Sequence, residues 1–176
     1  MVFPLSALVV MGVSGCGKSS MGAAIAEHSG GRLIEGDSFH PAANIKKMSA
    51  GTPLNDDDRA GWLTRLGEEM NACLKEGQRP ILTCSALKVI YRDKLRAAVP
   101  DLGFVFLELS RAEAANRVAH RPGHFMPASL IDSQFATLES PVGEDRTLAL
   151  DAALPIEDLA VQVDAWLDEH GISSPI

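Results

Sequence analysis

The sequence predicts an α/β domain in which a parallel sheet of five short strands is covered by helices on both faces. Three observations carry that expectation. Short runs that are almost wholly apolar recur along the 176 residues, most clearly over 7–11, 80–84 and 104–109, as expected for strands buried on both sides. Between them lie stretches with apolar residues at helical spacing, such as Trp62, Leu66, Met70 and Cys73, which mark helices with one buried face. The two kinds of segment alternate, and strands joined through helices pair in parallel.

Taken in order, residues 7–11 form the first strand and residues 20–28 the first helix, with Met21, Ala24 and Ile25 at helical spacing and Gly30-Gly31 ending it. Residues 32–35 form a short second strand that runs into Gly36-Asp37. A short helix over 41–50 has Pro41 in its first turn and Gly51 as its stop. Asn55-Asp56-Asp57-Asp58 opens a longer helix whose apolar face carries Trp62 to Cys73. Residues 80–84 are the third strand, and 89–99 a helix closed by Pro100. Residues 104–109 are the fourth strand, 112–119 a helix broken by Pro122-Gly123, and 128–138 another helix stopped by Pro141. Residues 147–150 are the fifth strand, and the last helix lines up Ile156, Leu159, Ala160, Val163, Trp166 and Leu167. With no repeat, low-complexity tract or linker, residues 1–176 read as one domain.

Composition narrows the classes of partner. Apolar residues make up 46% of the chain and charged residues 22%, ordinary for a globular protein. The net charge of −7 argues against nonspecific nucleic-acid binding, so any anionic ligand must be held by local Lys and Arg clusters. Cys16, Cys73 and Cys84 have no metal-like spacing and fit a reducing compartment better than a disulfide framework. The apolar start over 2–11 has no basic leader and runs straight into a glycine-rich loop, so it reads as a strand and not as a signal peptide. No stretch is long enough to span a membrane. A soluble, cytoplasmic protein is expected.

That glycine-rich loop is the first chemical motif. Gly12-Val13-Ser14-Gly15-Cys16-Gly17-Lys18-Ser19 fits the phosphate-binding pattern G-x-x-x-x-G-K-[ST], between an apolar strand and a helix. Glycines let the backbone turn tightly and aim its N–H groups at phosphate oxygens. Lys18 places a cation on the β- and γ-phosphates, the Ser19 hydroxyl can ligate Mg²⁺, and Ser20 continues the helix N-terminus on which the phosphates rest. The chain is expected to bind a nucleoside triphosphate through residues 12–20.

A second set of residues lies where the strands end, the edge at which open parallel sheets gather ligands. Asp37, just past the second strand, could orient an acceptor hydroxyl, take its proton, help hold Mg²⁺ through water, or simply cap the turn. Arg59 opens the acidic helix, and Lys88 and Arg92 follow the third strand one helical turn apart. These cations could clamp a carboxylate or the transferring phosphoryl group, or be solvated surface residues. Asp56-Asp57-Asp58 reads as carboxylates meeting a helix N-terminus more than as a metal site, with Asp58 the first exception to consider. His40 and His124 sit in glycine- or proline-marked loops suited to substrate contact. Arg117 and Arg121, at i and i+4, lead into Pro122-Gly123-His124-Phe125-Met126-Pro127 and fit a lid over about 117–138 that closes on ATP and excludes water. An exposed basic helix is the plainer alternative.

Several blocks together are more specific than the phosphate loop. Gly36-Asp37-Ser38-Phe39-His40-Pro41, Asn44-Ile45-Lys46-Lys47-Met48, and Gly51-Thr52-Pro53-Leu54-Asn55-Asp56-Asp57-Asp58-Arg59 with Trp62-Leu63 resemble the gluconokinases. So do Cys84-Ser85-Ala86-Leu87-Lys88 with Tyr91-Arg92, Gly123-His124-Phe125-Met126, and Ser133-Gln134-Phe135 with Leu138-Glu139. The resemblance runs from Val9 to about Asp151, with Cys16 where a serine is common and Pro122 in place of a more usual polar residue. It implies the P-loop fold of the nucleoside monophosphate and shikimate kinases, with strand order 2-3-1-4-5 and a mobile lid. It implies ATP-dependent phosphorylation of D-gluconate at its terminal hydroxyl, with Mg²⁺ as cofactor, and ATP and D-gluconate as partners. A homodimer is an open expectation. On that reading Lys18, Asp37 and Arg121 are catalytic, and Arg117 and Arg121 close on ATP. Arg59, Lys88 and Arg92 neutralise the gluconate carboxylate, His40 and His124 contact its hydroxyls, and Ser19, with Asp37 through water, holds the metal. The rivals are a P-loop kinase of shikimate or another hydroxy acid, and a non-catalytic nucleotide switch.

Overall fold

A computed structural model of the chain describes residues 5–13, 15–119 and 128–170. Five apolar segments pair into one parallel sheet: β1 (Ala7–Met11), β2 (Arg32–Glu35), β3 (Pro80–Thr83), β4 (Leu102–Glu108) and β5 (Thr147–Asp151). Their order is β2-β3-β1-β4-β5, the arrangement the family resemblance implies. Pleating sorts β1 residue by residue: Leu8 and Val10 enter one core, while Ala7, Val9 and Met11 enter the other.

Those two cores are the two helical layers. On one face, α1 (Lys18–Ser29), α5 (Arg111–Ala119), α6 (Ala128–Thr137) and α7 (Ile156–Glu169) contribute Ile25, Ala114, Ile131, Leu159 and Val163. On the other, α3 (Asp56–Lys75) and α4 (Val89–Ala98) contribute Trp62, Leu66, Met70, Tyr91 and Leu95. A short α2 (Ala42–Ser49) lies ahead of α3. The expected apolar faces of α3 and α7 are the buried ones, except that Ile156 is exposed at the first turn of α7. Among the described residues no helix is long and apolar enough to cross a membrane.

The differences from the sequence reading lie at element ends. Helix α1 begins two residues early, at Lys18, because Gly17 takes the left-handed conformation (φ 94°, ψ 28°) and turns the chain straight into the helix. A 3₁₀ turn over Gly36–Phe39, not anticipated, follows β2. Gly36 is dictated by packing: a Cβ there would lie 2.1 Å from the Thr83 carbonyl oxygen. Helix α3 starts as its sequence promised. Asn55 accepts from the Asp58 N–H (2.8 Å) and Asp58 Oδ2 accepts from the Asn55 N–H (2.9 Å), a reciprocal capping box.

Candidate active site

The carboxyl ends of β1, β3 and β2 share one edge of the sheet, since Val10 is level with Thr83 and Thr83 with Glu35. The phosphate-loop sequence spans the gap between β1 and α1 there. Gly12, Gly15 and Gly17 all adopt positive φ (146°, 86° and 94°), which L side chains rarely tolerate. The Cys16 thiol is buried against Gly12, where an added Cβ would come within 2.8 Å of Sγ. The Lys18 ammonium reaches back along the loop and donates to the Gly12 and Val13 carbonyls, each at 3.1 Å. Ser19 and Ser20 are exposed in the first turn of α1, where unpaired N–H groups favour anions. Ser14 lies outside the described residues.

Beside the loop, a cavity of about 890 Å³ opens between the ends of β4 and β5 and the start of α5, with Val13, Leu109, Ser110, Glu113, Arg117 and Asp151 in its lining. Arg117 fastens three pieces of this wall together. Its guanidinium donates to Glu113 (3.2 Å), to the Ala152 carbonyl (3.1 Å) and to the Gly15 carbonyl of the phosphate loop (3.4 Å). Arg121 and His124 lie outside the described residues.

On the other side of the loop, sheet register brings Glu35 beside Thr83, and the Thr83 hydroxyl donates to Glu35 Oε2 (2.8 Å) while accepting from the Gly36 N–H (3.3 Å). The Ser19 hydroxyl donates to the same carboxylate oxygen (2.9 Å). Two residues on, the 3₁₀ turn projects Asp37, whose side chain is 76% exposed. The turn is held from below: the Trp62 indole N–H donates to the Gly36 carbonyl (2.8 Å). The His40 ring stacks on Trp62 at 4.0 Å between centroids and is itself buried. Burial pushes the His40 imidazole below its usual pKa, with Asp37 opposing and Arg59 assisting. A cavity of about 800 Å³ adjoins this cluster, with His40, Asn44, Asp57, Trp62 and Arg65 in its lining.

The expected cations separate into two kinds. Arg59 and Lys88 meet over Tyr91: the Arg59 guanidinium carbon is 5.2 Å and the Lys88 nitrogen 5.6 Å from the ring centroid. Arg59 also donates to the Tyr91 hydroxyl (2.9 Å), and Lys88 to Asp56 (2.9 Å), which in turn accepts from Tyr91. Hydrogen bonds from Tyr91 and then Lys88 hold the Asp56 carboxyl below its usual pKa, and the bond to Asp56 raises that of Lys88. Arg92 corrects the sequence expectation. It is fully buried, with its guanidinium bonded to Glu144 (3.1 and 2.7 Å), the Ala86 carbonyl (2.7 Å) and the Glu139 carbonyl (2.8 Å). Its donors are committed to the protein interior, so it is a strut and not an open anion site. Asp58 is likewise structural: besides the capping box it pairs with Lys47 at 2.8 Å.

Sequence reasoning assigned no role to Glu35, Tyr91, Asn44 or Trp62, and left Asp56 as a helix-terminal carboxylate. Tyr91 had a signal, since it lies three residues after Lys88 on one helix face. Glu35 had another: it is the last residue of a strand that ends beside the phosphate loop. The Lys18, Asp37 and Arg59 charges also act on the Cys84 thiol, buried just past the end of β3. Burial dominates there and raises that thiol to about 12, which makes it inert.

A phosphate loop between the first strand and first helix of a 2-3-1-4-5 parallel sheet, flanked by an acidic turn and a cationic helix start, defines a P-loop kinase fold. A family profile described as an AAA domain matches residues 8–141. The gluconokinase of Gluconobacter oxydans (strain 621H) is 49% identical over 138 residues, covering 78% of this chain and 77% of that protein. The thermoresistant gluconokinase of Escherichia coli (strain K12) is 40% identical over 151 residues, covering 85% and 86%. A crystal structure of a gluconokinase from Sinorhizobium meliloti 1021 superimposes with a TM-score of 0.83 at 50% identity, covering 96% of this chain and 94% of that one. The chain belongs to the gluconokinase family.

Proposed function

We propose that the protein transfers the γ-phosphoryl group of ATP to the terminal hydroxyl of D-gluconate, yielding 6-phosphogluconate and ADP. The observation that carries the reading is the chain's exit from β2: Glu35 accepts from Ser19 of the phosphate loop, Gly36 accepts from Trp62 of the helix that carries Arg59, and Asp37 follows directly. It joins the donor side, the acceptor hydroxyl's partner and a cation for the substrate carboxylate in one place. The loop amides and Lys18 hold the β- and γ-phosphates, and the cavity lined by Val13, Leu109 and Arg117 receives the nucleoside. Arg117, with Arg121 and the lid over about 117–138, closes that side against water.

Hard oxygen donors suit Mg²⁺, and the Ser19 hydroxyl with Glu35 Oε2 at 2.9 Å supplies a pair of them. Among the described residues no three His, Cys, Asp or Glu side chains cluster as a metal cage. Bound there, Mg²⁺ neutralises charge on the phosphate oxygens. Arg59 and Lys88 take the gluconate carboxylate, and Asp37 orients the terminal hydroxyl. The hydroxyl oxygen bonds to the γ-phosphorus as the bond to the β-bridging oxygen breaks, and its proton passes towards Asp37. The transition state is loose, so positioning outweighs base strength.

Replacing Asp37 by Asn tests this. Gluconate-dependent ADP release should fall by about 10²–10⁴-fold while ATP binding persists. Turnover near the wild-type rate, or equal ADP release without gluconate, would refute the assignment.

A further inference from the structure

Asp37 is exposed and free to rotate, yet the proposed reaction needs one of its oxygens aimed at the acceptor hydroxyl. Behind it runs a chain of hydrogen-bonding groups that is otherwise buried. The Asn44 amide nitrogen lies 2.9 Å from the Asp58 carbonyl oxygen and 3.2 Å from His40 Nδ1. A backbone carbonyl can only accept, so the Asn44 atom facing it is the NH₂ group, and the amide orientation is fixed. The second N–H of that group then meets Nδ1, which must present its lone pair. A neutral imidazole accepting at Nδ1 carries its proton on Nε2. That nitrogen is 3.7 Å from Asp37 Oδ1, one small side-chain rotation from a hydrogen bond.

We propose that Asn44 and His40 form a positioning relay, in which Asn44 locks His40 as the Nε2–H tautomer and His40 holds Asp37 Oδ1. The other carboxylate oxygen is thereby left for the acceptor hydroxyl. The Trp62 face against the ring, and the Trp62 bond to the Gly36 carbonyl, fix both ends of this arrangement to α3. His40 acts through Asp37 in this arrangement, and not as the direct contact to substrate hydroxyls. The inference rests on the proposed role of Asp37, and it separates from that role experimentally.

Three measurements do so. His40→Phe keeps the stack on Trp62 and removes the donor. It should lower kcat about 10- to 100-fold with the KM values for gluconate and ATP little changed, since misplacing a reacting group costs rate more than binding. His40→Gln, which can again present an N–H, should recover part of that loss. In an Asp37→Asn background, His40→Phe should cost nothing further, because the residue it positions is gone. Finally, imidazole ¹⁵N spectra of the wild-type protein should show Nε2 protonated and Nδ1 bare, and Asn44→Asp should reverse them. An Nδ1–H tautomer in the wild type overturns the relay, whatever Asp37 does. A rise in gluconate KM at constant kcat in His40→Phe also overturns it, and restores His40 as a substrate contact. Full activity of Asp37→Asn refutes the role of Asp37 instead, and leaves the tautomer result standing by itself.

Discussion

The donor and acceptor sides of the site are built from different materials. The donor side is one continuous segment, Gly12 to Ser19, whose conformation is set by three positive-φ glycines and whose recognition groups are largely backbone amides. The acceptor side has no such segment. Asp37 comes from a 3₁₀ turn after β2, Arg59 from α3, and Lys88 and Tyr91 from the start of α4. On the proposed reading side chains do the recognising there, and other side chains (Trp62, Asn44, Arg92) bond the pieces to one another. A backbone-made site tolerates change at its filler positions, as the buried Cys16 illustrates. A side-chain site depends on each member and on its supports.

The largest test of that contrast lies on the donor side, at the Lys18 side chain proposed to meet the phosphates. Lys18→Met should reduce kcat about 10³-fold, corresponding to about 4 kcal/mol of lost transition-state stabilisation. The loop amides should still bind ATP, which isothermal titration would measure. Loss of ATP binding together with turnover would mean that the lysine, and not the backbone, builds the donor site.

The acceptor side should fail through its supports. Arg92→Met removes the strut linking the turn before α4 to the segment around Glu139–Glu144, and leaves two carbonyls unpaired. Urea unfolding should show a loss of about 3 kcal/mol. Partial burial works to raise the Glu144 carboxyl, but the bonds and charges of Arg92 and Arg96 outweigh it and hold it below its ordinary value of 4.5. A carboxyl depressed in the folded state stabilises the fold above its unfolded pKa and loses that contribution as pH falls through its folded pKa. The gap between wild type and Arg92→Met should therefore be full at neutral pH and narrow below about pH 4.5. A gap independent of pH would place the strut's worth in packing alone.

Legibility from sequence follows the same division. Periodicity identified every strand and helix of the sheet and its layers, because burial on two faces or one leaves a repeating pattern in the chain. The phosphate loop was legible for the same reason, its parts being contiguous. Lys88 and Arg92 were not distinguishable: they are one turn apart and equally charged, and only the segment over 139–144, far along the chain, decides that Arg92 is buried. Glu35 had only its place at a strand end as a signal, because Thr83 meets it through sheet register and Ser19 from the first turn of α1, both far from it in the chain. The 3₁₀ turn was missed because the close approach of Gly36 to Thr83 joins residues far apart in the chain and leaves no local pattern.

The subtlest expectation concerns Asp56, which sequence alone read as a helix-end carboxylate. It lies against the Tyr91 hydroxyl and against Lys88, one of the two cations assigned to the gluconate carboxylate. A bound substrate carboxylate and Asp56 must then share Lys88, so the two members of the pair should respond in opposite directions. Lys88→Met removes a charge-assisted bond and should raise the gluconate KM about tenfold, about 1.4 kcal/mol, with the ATP KM unchanged. Asp56→Asn keeps an acceptor for Tyr91 but removes the competing charge, and should lower the gluconate KM about threefold. Because the Lys88–Asp56 pair is substantially exposed, neither change should move stability appreciably. A higher gluconate KM in Asp56→Asn would show instead that Asp56 holds Lys88 in place for the substrate. The acceptor side would then be pre-built by its own ion pair, and its dependence on supporting side chains would extend to the charges themselves.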